Sequence, residues 1–75
     1  MTDLKKEFGK QLKALRRAKG LSQGQLAGIL DCDLTTISKI ERGIHGPRFE
    51  LFEQLIMALN AHPRDFFDFT WRRKK

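Results

Sequence analysis

An all-α fold, a compact five-helix bundle in one domain, is what this 75-residue sequence predicts. Three observations carry that prediction. Apolar residues recur at three- and four-residue spacing in one segment after another. No segment alternates apolar and polar residues as a strand would. Ser, Asp, Gly and Pro fall where helices begin and end. A chain of this length buries only about 60–65% of its unfolded surface, enough for one core but not for a deep catalytic cleft.

The first helix runs from about Asp3 to Lys19. Leu4, Phe8, Leu12 and Leu15 form its apolar stripe, and Lys5, Lys6, Lys10, Lys13 and Arg17 occupy the other side. Asp3 suits its N-cap, and Gly20 suits the left-handed position after its last turn. Ser22 and Gln25 form a capping box for a second helix that ends near Leu30 and buries Leu26, Ala27 and Leu30. Gly24 and Gly28 each cost it about 1 kcal/mol relative to Ala, so it needs tertiary support. Gly20, Gly24 and Gly28 share the spacing of a membrane helix-packing motif, which means nothing without a long apolar context. Asp31-Cys32-Asp33 is a turn. Asp31 tolerates a left-handed backbone, and Asp33 is available to cap a third helix from Leu34 to about Arg42. Ile37 and Ile40 point inward there, with Glu41 at the margin and Gly43 ending the helix. Pro47 opens or immediately precedes a fourth helix, whose buried stripe is Phe49, Phe52, Leu55, Ile56 and Leu59, with Asn60 as C-cap. His62-Pro63 starts a short fifth helix with Asp65 in its first turn, and Phe66 belongs to the core. The domain spans residues 1–71, and Arg72 to Lys75 form a basic, disordered end.

The segment from Leu21 to Gly43 carries the functional signal. Two short helices joined by a three-residue turn have the shape that places a helix in the major groove of DNA. With Ile37 set at zero, Thr35, Ser38, Lys39 and Arg42 cluster within about 100° on the opposite side of the third helix. Hydroxyl, ammonium and guanidinium groups reach base edges and phosphates. Fifteen Lys and Arg against nine Asp and Glu give a net charge of +6, which favours a polyanionic partner. A solvated basic face without a partner is the plain alternative. A membrane-surface role is a more distant one, because the apolar stripe of the first helix is also what a small core needs.

Other chemistry finds no support in the pattern. No nucleophile, base and acid arrangement, glycine-rich phosphate loop or carboxylate pair stands out, so the chain is expected not to be an enzyme. Cys32, His45 and His62 show no metal-ligand spacing, and no metal, cofactor or small-molecule effector is expected. A single Cys suits a reducing compartment, and the absence of an apolar leader or a stretch of about 18 apolar residues leads to the expectation of a cytoplasmic protein. Phe67, Phe69 and Trp71 exceed what the end of a small bundle usually buries. They fit a loose plug or a homodimer interface, and the interface is the preferred assignment.

The strings LSQGQLA, TTISKIERG and PRF, together with Arg16, Leu21, Gln23, Leu26-Ala27, Ile37, Ile40 to Gly43, Pro47 and Leu59, resemble the Cro and phage-repressor family, also called the xenobiotic-response-element family. The resemblance runs from about Phe8 to Phe66. It implies a lambda-repressor-like DNA-binding domain whose helices 2 and 3 form the helix-turn-helix. It places Gln23 on phosphate and in support of the recognition helix, makes Leu34, Thr35, Ser38 and Lys39 the base-reading positions, and brings Arg48 toward the minor groove. It also implies a partly buried ion pair between Arg16 and Glu41. Asp31 departs from the family's usual turn Gly. Leu34 replaces a commonly polar residue and packs either on a thymine methyl or against the start of helix 2. The implied function is a sequence-specific transcriptional regulator, a repressor in most of the family, binding a double-stranded, pseudo-palindromic operator as a homodimer. A restriction-modification controller, or an antitoxin-like module that neutralises a partner protein, are the alternatives.

Overall fold

The computed structural model describes residues 3–70. Helix α1 covers Leu4–Ala18, α2 Gln23–Leu30, α3 Leu34–Glu41 and α4 Phe49–Ala58, followed by a 3₁₀ helix at Pro63–Phe67. The fifth predicted helix is therefore a single tight segment. Five residues opened by a proline complete too few i to i−4 bonds to propagate an α-helix. The basic end from Arg72 and the position of Trp71 lie outside the described residues.

Local chemistry sets these boundaries. The Asp3 carboxylate accepts hydrogen bonds from the Lys5 and Lys6 amides and starts α1. At α2, Ser22 Oγ accepts from the Gln25 amide at 3.0 Å, and Gln25 Oε1 accepts from the Ser22 amide at 2.8 Å. Asp31 ends α2 in the left-handed region at φ 53°, and the Cys32 amide donates back to the Ala27 carbonyl. Asp33 stands at the N-cap of α3 with extended backbone, but its carboxylate makes no capping bond, contrary to expectation. Asn60 adopts φ 48° one residue beyond the α4 cap, which falls on Leu59. Arg48 is the N-cap residue of α4, so Pro47 precedes the helix rather than opening it.

The core joins Phe8 and Leu12 of α1, Leu26, Ala27 and Leu30 of α2, Ile37 and Ile40 of α3, Leu55 of α4, and Leu59 and Phe66. Phe8 stacks on Phe66 at a centroid separation of 5.1 Å and meets Phe52 edge-on at 5.4 Å. The core expectations hold in part: Phe52 and Ile56 are half-buried rather than buried, Leu4 of the α1 stripe is exposed, and Phe49 departs furthest. Phe49 is 84% exposed. It occupies the first turn of α4 at the edge of the apolar stripe, and the stripe's inward direction is set by Phe52, Leu55 and Leu59. Cys32, expected as a buried thiol, is half-buried.

Helices α1 and α3 touch backbone to backbone. A methyl group added at Gly9 would lie 2.6 Å from the Glu41 carbonyl oxygen and closer still to that of Ile40. Gly43 ends α3 at φ 77°, and a side chain there would meet Lys6 Cα at 2.8 Å. These two glycines seat the C-terminal half of α3 on α1, which fixes how its N-terminal half projects.

Candidate nucleic-acid interface

A single carboxylate organises the site. Glu41, the last residue of α3, is buried, and its Oε2 accepts from Arg16 Nε at 2.6 Å while Oε1 accepts from Arg16 Nη2 at 3.0 Å. This is a two-pronged guanidinium–carboxylate contact, the geometry in which Arg outperforms Lys. Arg16 Nη1 donates to the Leu21 carbonyl at 2.7 Å, so the same side chain holds the loop that feeds α2. Gln23, the first residue of α2, donates from Nε2 to Glu41 Oε1 at 3.0 Å. Three helices thus meet at one acid.

The charges respond accordingly. Burial alone would raise the Glu41 carboxyl, but hydrogen bonds from Arg16 and Gln23 and the positive charges of Arg16 and Lys13 outweigh it and hold it below the usual glutamate range. The Arg16 guanidinium is raised by its hydrogen bond to Glu41, against the opposing effect of burial. Burial pushes the Cys32 thiol up, helped by the charges of Asp33 and Asp31, so the thiolate is disfavoured in the turn.

With Ile37 and Ile40 buried, α3 turns Leu34, Thr35 and Lys39 to solvent, with Ser38 half-buried beside them. Arg42, following α3, and Arg48, preceding α4, are exposed. Leu34, 53% exposed, lies over the start of α2: a methyl group added at Gly24 would sit 3.7 Å from its Cδ1. Gln23 commits one of its amide hydrogens to Glu41 at the end of α3. A primary amide has two such hydrogens, and the second remains to donate. Arg16 and Glu41 are brought together. Phe67 is turned partly inward, its ring 5.7 Å from that of Phe8 and 5.9 Å from that of Phe52, yet it remains 43% exposed. Phe69 is half-buried against Phe67.

Sequence inspection passed over Gly9 and the effect of the Lys13 charge on Glu41. Gly9 carries a readable signal, a glycine in the middle of a strongly amphipathic helix, which usually marks close approach of another backbone. Among the described residues, no group of three or more His, Cys, Asp or Glu is placed to hold a metal ion. No described helix is long and apolar enough to cross a membrane.

Residues 7–66 match the family described as helix-turn-helix domain. The chain belongs to that family. Among solved structures, the helix-turn-helix chain is similar to the restriction-modification controller protein C.AhdI from Aeromonas hydrophila, with 38% identity and a TM-score of 0.79 over 87% of this chain and 97% of the other. It is also similar to the clp gene regulator ClgR from Corynebacterium glutamicum, with 28% identity and a TM-score of 0.80 over 85% and 68% of the two chains. A third similar structure is an HTH_3 family transcriptional regulator from Vibrio cholerae, at 31% identity and a TM-score of 0.77, covering 88% of this chain and 38% of that one. No curated protein gives a significant sequence match.

Proposed function

We propose that this chain is a sequence-specific, DNA-binding transcriptional regulator of the cytoplasm that inserts α3 into the major groove of a pseudo-palindromic operator, acting chiefly as a repressor. One observation carries the reading: the outward face of α3, with Thr35, Ser38 and Lys39, is held at a fixed angle to α2 by the Arg16–Glu41–Gln23 network. In this reading Thr35, Ser38 and Lys39 contact bases, and Leu34 covers a thymine methyl from its seat on Gly24. The second N–H of Gln23 joins Arg42 on phosphates, and Arg48 approaches the minor groove.

The functional unit is a homodimer. A single recognition helix reads few base pairs, and two related by a dyad double the contact set. An apolar groove of about 210 Å³ supports this assignment, bordered by Leu4, Phe8, Pro47, Phe49, Phe52 and Phe67 beside the loop that follows α3. An apolar surface of that kind, centred on an exposed Phe49, suits burial against a second copy. The interface therefore centres on Phe49 and Phe67, with Phe69 at its margin and Trp71 beyond the described residues. Selection of bound duplexes from a random pool tests the whole reading. The expected product is a two-fold symmetric sequence with half-sites about one helical turn apart. A pool with no enriched sequence overturns the reading.

A second reading, control of restriction-modification genes by activation as well as repression, is favoured by the similarity to C.AhdI over nearly all of that chain's length. A neighbouring methyltransferase or endonuclease gene, and transcription assays with its promoter, distinguish this from repression alone.

A further inference from the structure

The helix-turn-helix itself is not where the positive charge lies. Helix α2 has no charged residue, the turn has Asp31 and Asp33, and α3 has one Lys and one Glu. The reading unit from Gln23 to Glu41 is thus net negative. Helix α1, by contrast, holds six basic residues, Lys5, Lys6, Lys10, Lys13, Arg16 and Arg17, and one acidic residue, Glu7. Binding a polyanion at ordinary salt depends on cations placed along its phosphates, and the α2–α3 unit cannot supply them alone.

Four of the α1 cations form a track. Lys6, Lys10, Lys13 and Arg17 are spaced by four, three and four residues and fall within about 60° of one another around the helix. All four are exposed. Among the described residues only Lys10 has an acidic partner, Glu7 at 3.2 Å, on the opposite edge of the track. Lys6, Lys13 and Arg17 make no ion pair there. The track also has a definite place. Gly9 and Arg16 face α3, and the track lies just beyond them on the solvent side. Lys6 abuts Gly43 at the end of α3. Lys13 stands one turn before Arg16, whose guanidinium holds Glu41, the same carboxylate that holds Gln23 at the start of α2. Arg17 follows one turn later, next to the loop whose Leu21 carbonyl Arg16 binds.

We propose that Lys13 and Arg17, continued by Lys10 and Lys6, form a second phosphate-binding track that engages the DNA backbone flanking the half-site read by α3. The inference rests on the DNA-binding function proposed above. It assigns to α1 a role beyond supporting the core: part of the sequence-independent affinity sits outside the helix-turn-helix. The chemistry fits. Ammonium and guanidinium groups on exposed, flexible stems make phosphate contacts without demanding a fixed register.

The test uses the full chain with Lys13→Gln and Arg17→Gln combined, and two probes of equal length: a duplex selected by the parent and one of random sequence. Each is also made with flanks extended by roughly half a helical turn. Neutralising two phosphate contacts in each protomer removes four from the bound dimer, which lowers the slope of log K against log salt by about 3.6 and weakens binding about 100- to 4,000-fold at roughly 0.1 M salt. The expected result is an equal loss on both probes, an unchanged ratio between them, and loss of any gain from longer flanks. Unchanged slope and affinity in the double variant, with the parent still preferring its selected duplex, overturn the track and leave the reading by α3 intact. A change in the ratio between probes also overturns it, because it makes these residues part of base recognition. A parent that binds neither probe overturns both proposals. A matched thermal midpoint for parent and variant ties any loss to contact rather than folding.

Discussion

Replacing Glu41 with Ala should remove a large share of this domain's stability, and the geometry allows the loss to be worked out. Four donor–acceptor contacts converge on this group of residues: three end on Glu41, from Arg16 Nε, Arg16 Nη2 and Gln23 Nε2, and one joins Arg16 to the Leu21 carbonyl. The side chains of Arg16 and Glu41 retain only 8% and 3% exposure, so solvent screens the pair weakly. The substitution leaves a nearly buried guanidinium with only the Leu21 carbonyl, and Gln23 without its acceptor. Stranding one member of a buried pair costs about 3–5 kcal/mol, and the lower end fits a network at the rim of a small core. Whole-domain stability at this size is about 4–11 kcal/mol. With a urea dependence of about 1 kcal/mol per molar, the expected fall in midpoint is about 3 M, enough to unfold a marginal domain in buffer. Glu53→Ala, an exposed change on α4, is the control and should stay within about 0.5 kcal/mol. A Glu41→Ala midpoint equal to the parent's would refute the network's role in stability.

The same network fixes a pH dependence. The Glu41 carboxyl is held below its usual range in the fold, so the folded state prefers the carboxylate. Its contribution is complete above the ordinary glutamate value of about 4.3 and is lost as pH falls through the lower folded value. The stability gap between parent and Glu41→Gln should therefore be constant near neutrality and narrow only in acid. A gap that widens on acidification contradicts the assignment.

Lys39→Ala should weaken binding to a selected duplex by about 1–3 kcal/mol and relax preference at one or two base pairs, read by repeating the selection with the variant. Gly9→Ala places a methyl group against the Ile40 and Glu41 carbonyl oxygens, which cannot rotate away, so it should lower the unfolding free energy by about 1–3 kcal/mol, read from denaturant titration, where an exposed helical Gly→Ala would raise it. Phe49→Asp should leave monomer stability within about 0.5 kcal/mol, because the ring is exposed, while raising the dimer dissociation constant measured by sedimentation.

The helices were legible because their ends are written in local chemistry. Asp3, Ser22 with Gln25, Asp31 and Gly43 each act within a few residues of their own position, and all four stand where the helices begin or end. The face of α3 was legible for a related reason: two inward isoleucines fix where the others point. Periodicity failed at Phe49. Spacing groups a residue with a stripe but does not reveal that the first turn of α4 overhangs the core. The polar network was beyond composition and spacing, since Arg16 and Glu41 are separated by 25 positions, and only resemblance to a known family paired them. The contact of Gly9 with the Ile40 and Glu41 carbonyls was hidden in the same way, because both sides of it are backbone.

The network matters for function more than its energy suggests. Apolar contacts between α2 and α3 are favourable over a range of small rotations, because burial is nearly non-directional. Hydrogen bonds from a planar guanidinium and a primary amide to one carboxylate are not, and they penalise sliding of α3 against α2. Base discrimination depends on donors held to within about 0.5 Å, and Thr35 and Lys39 sit on the helix that this carboxylate ends. Glu41 faces inward while those residues face outward, so under the proposed reading a residue that touches no base governs where the proposed base-reading residues stand. The glycines complete the arrangement from the other side. Gly9 and Gly43 let α1 press directly on the end of α3, leaving only the N-terminal turns of α3 free to project toward a groove.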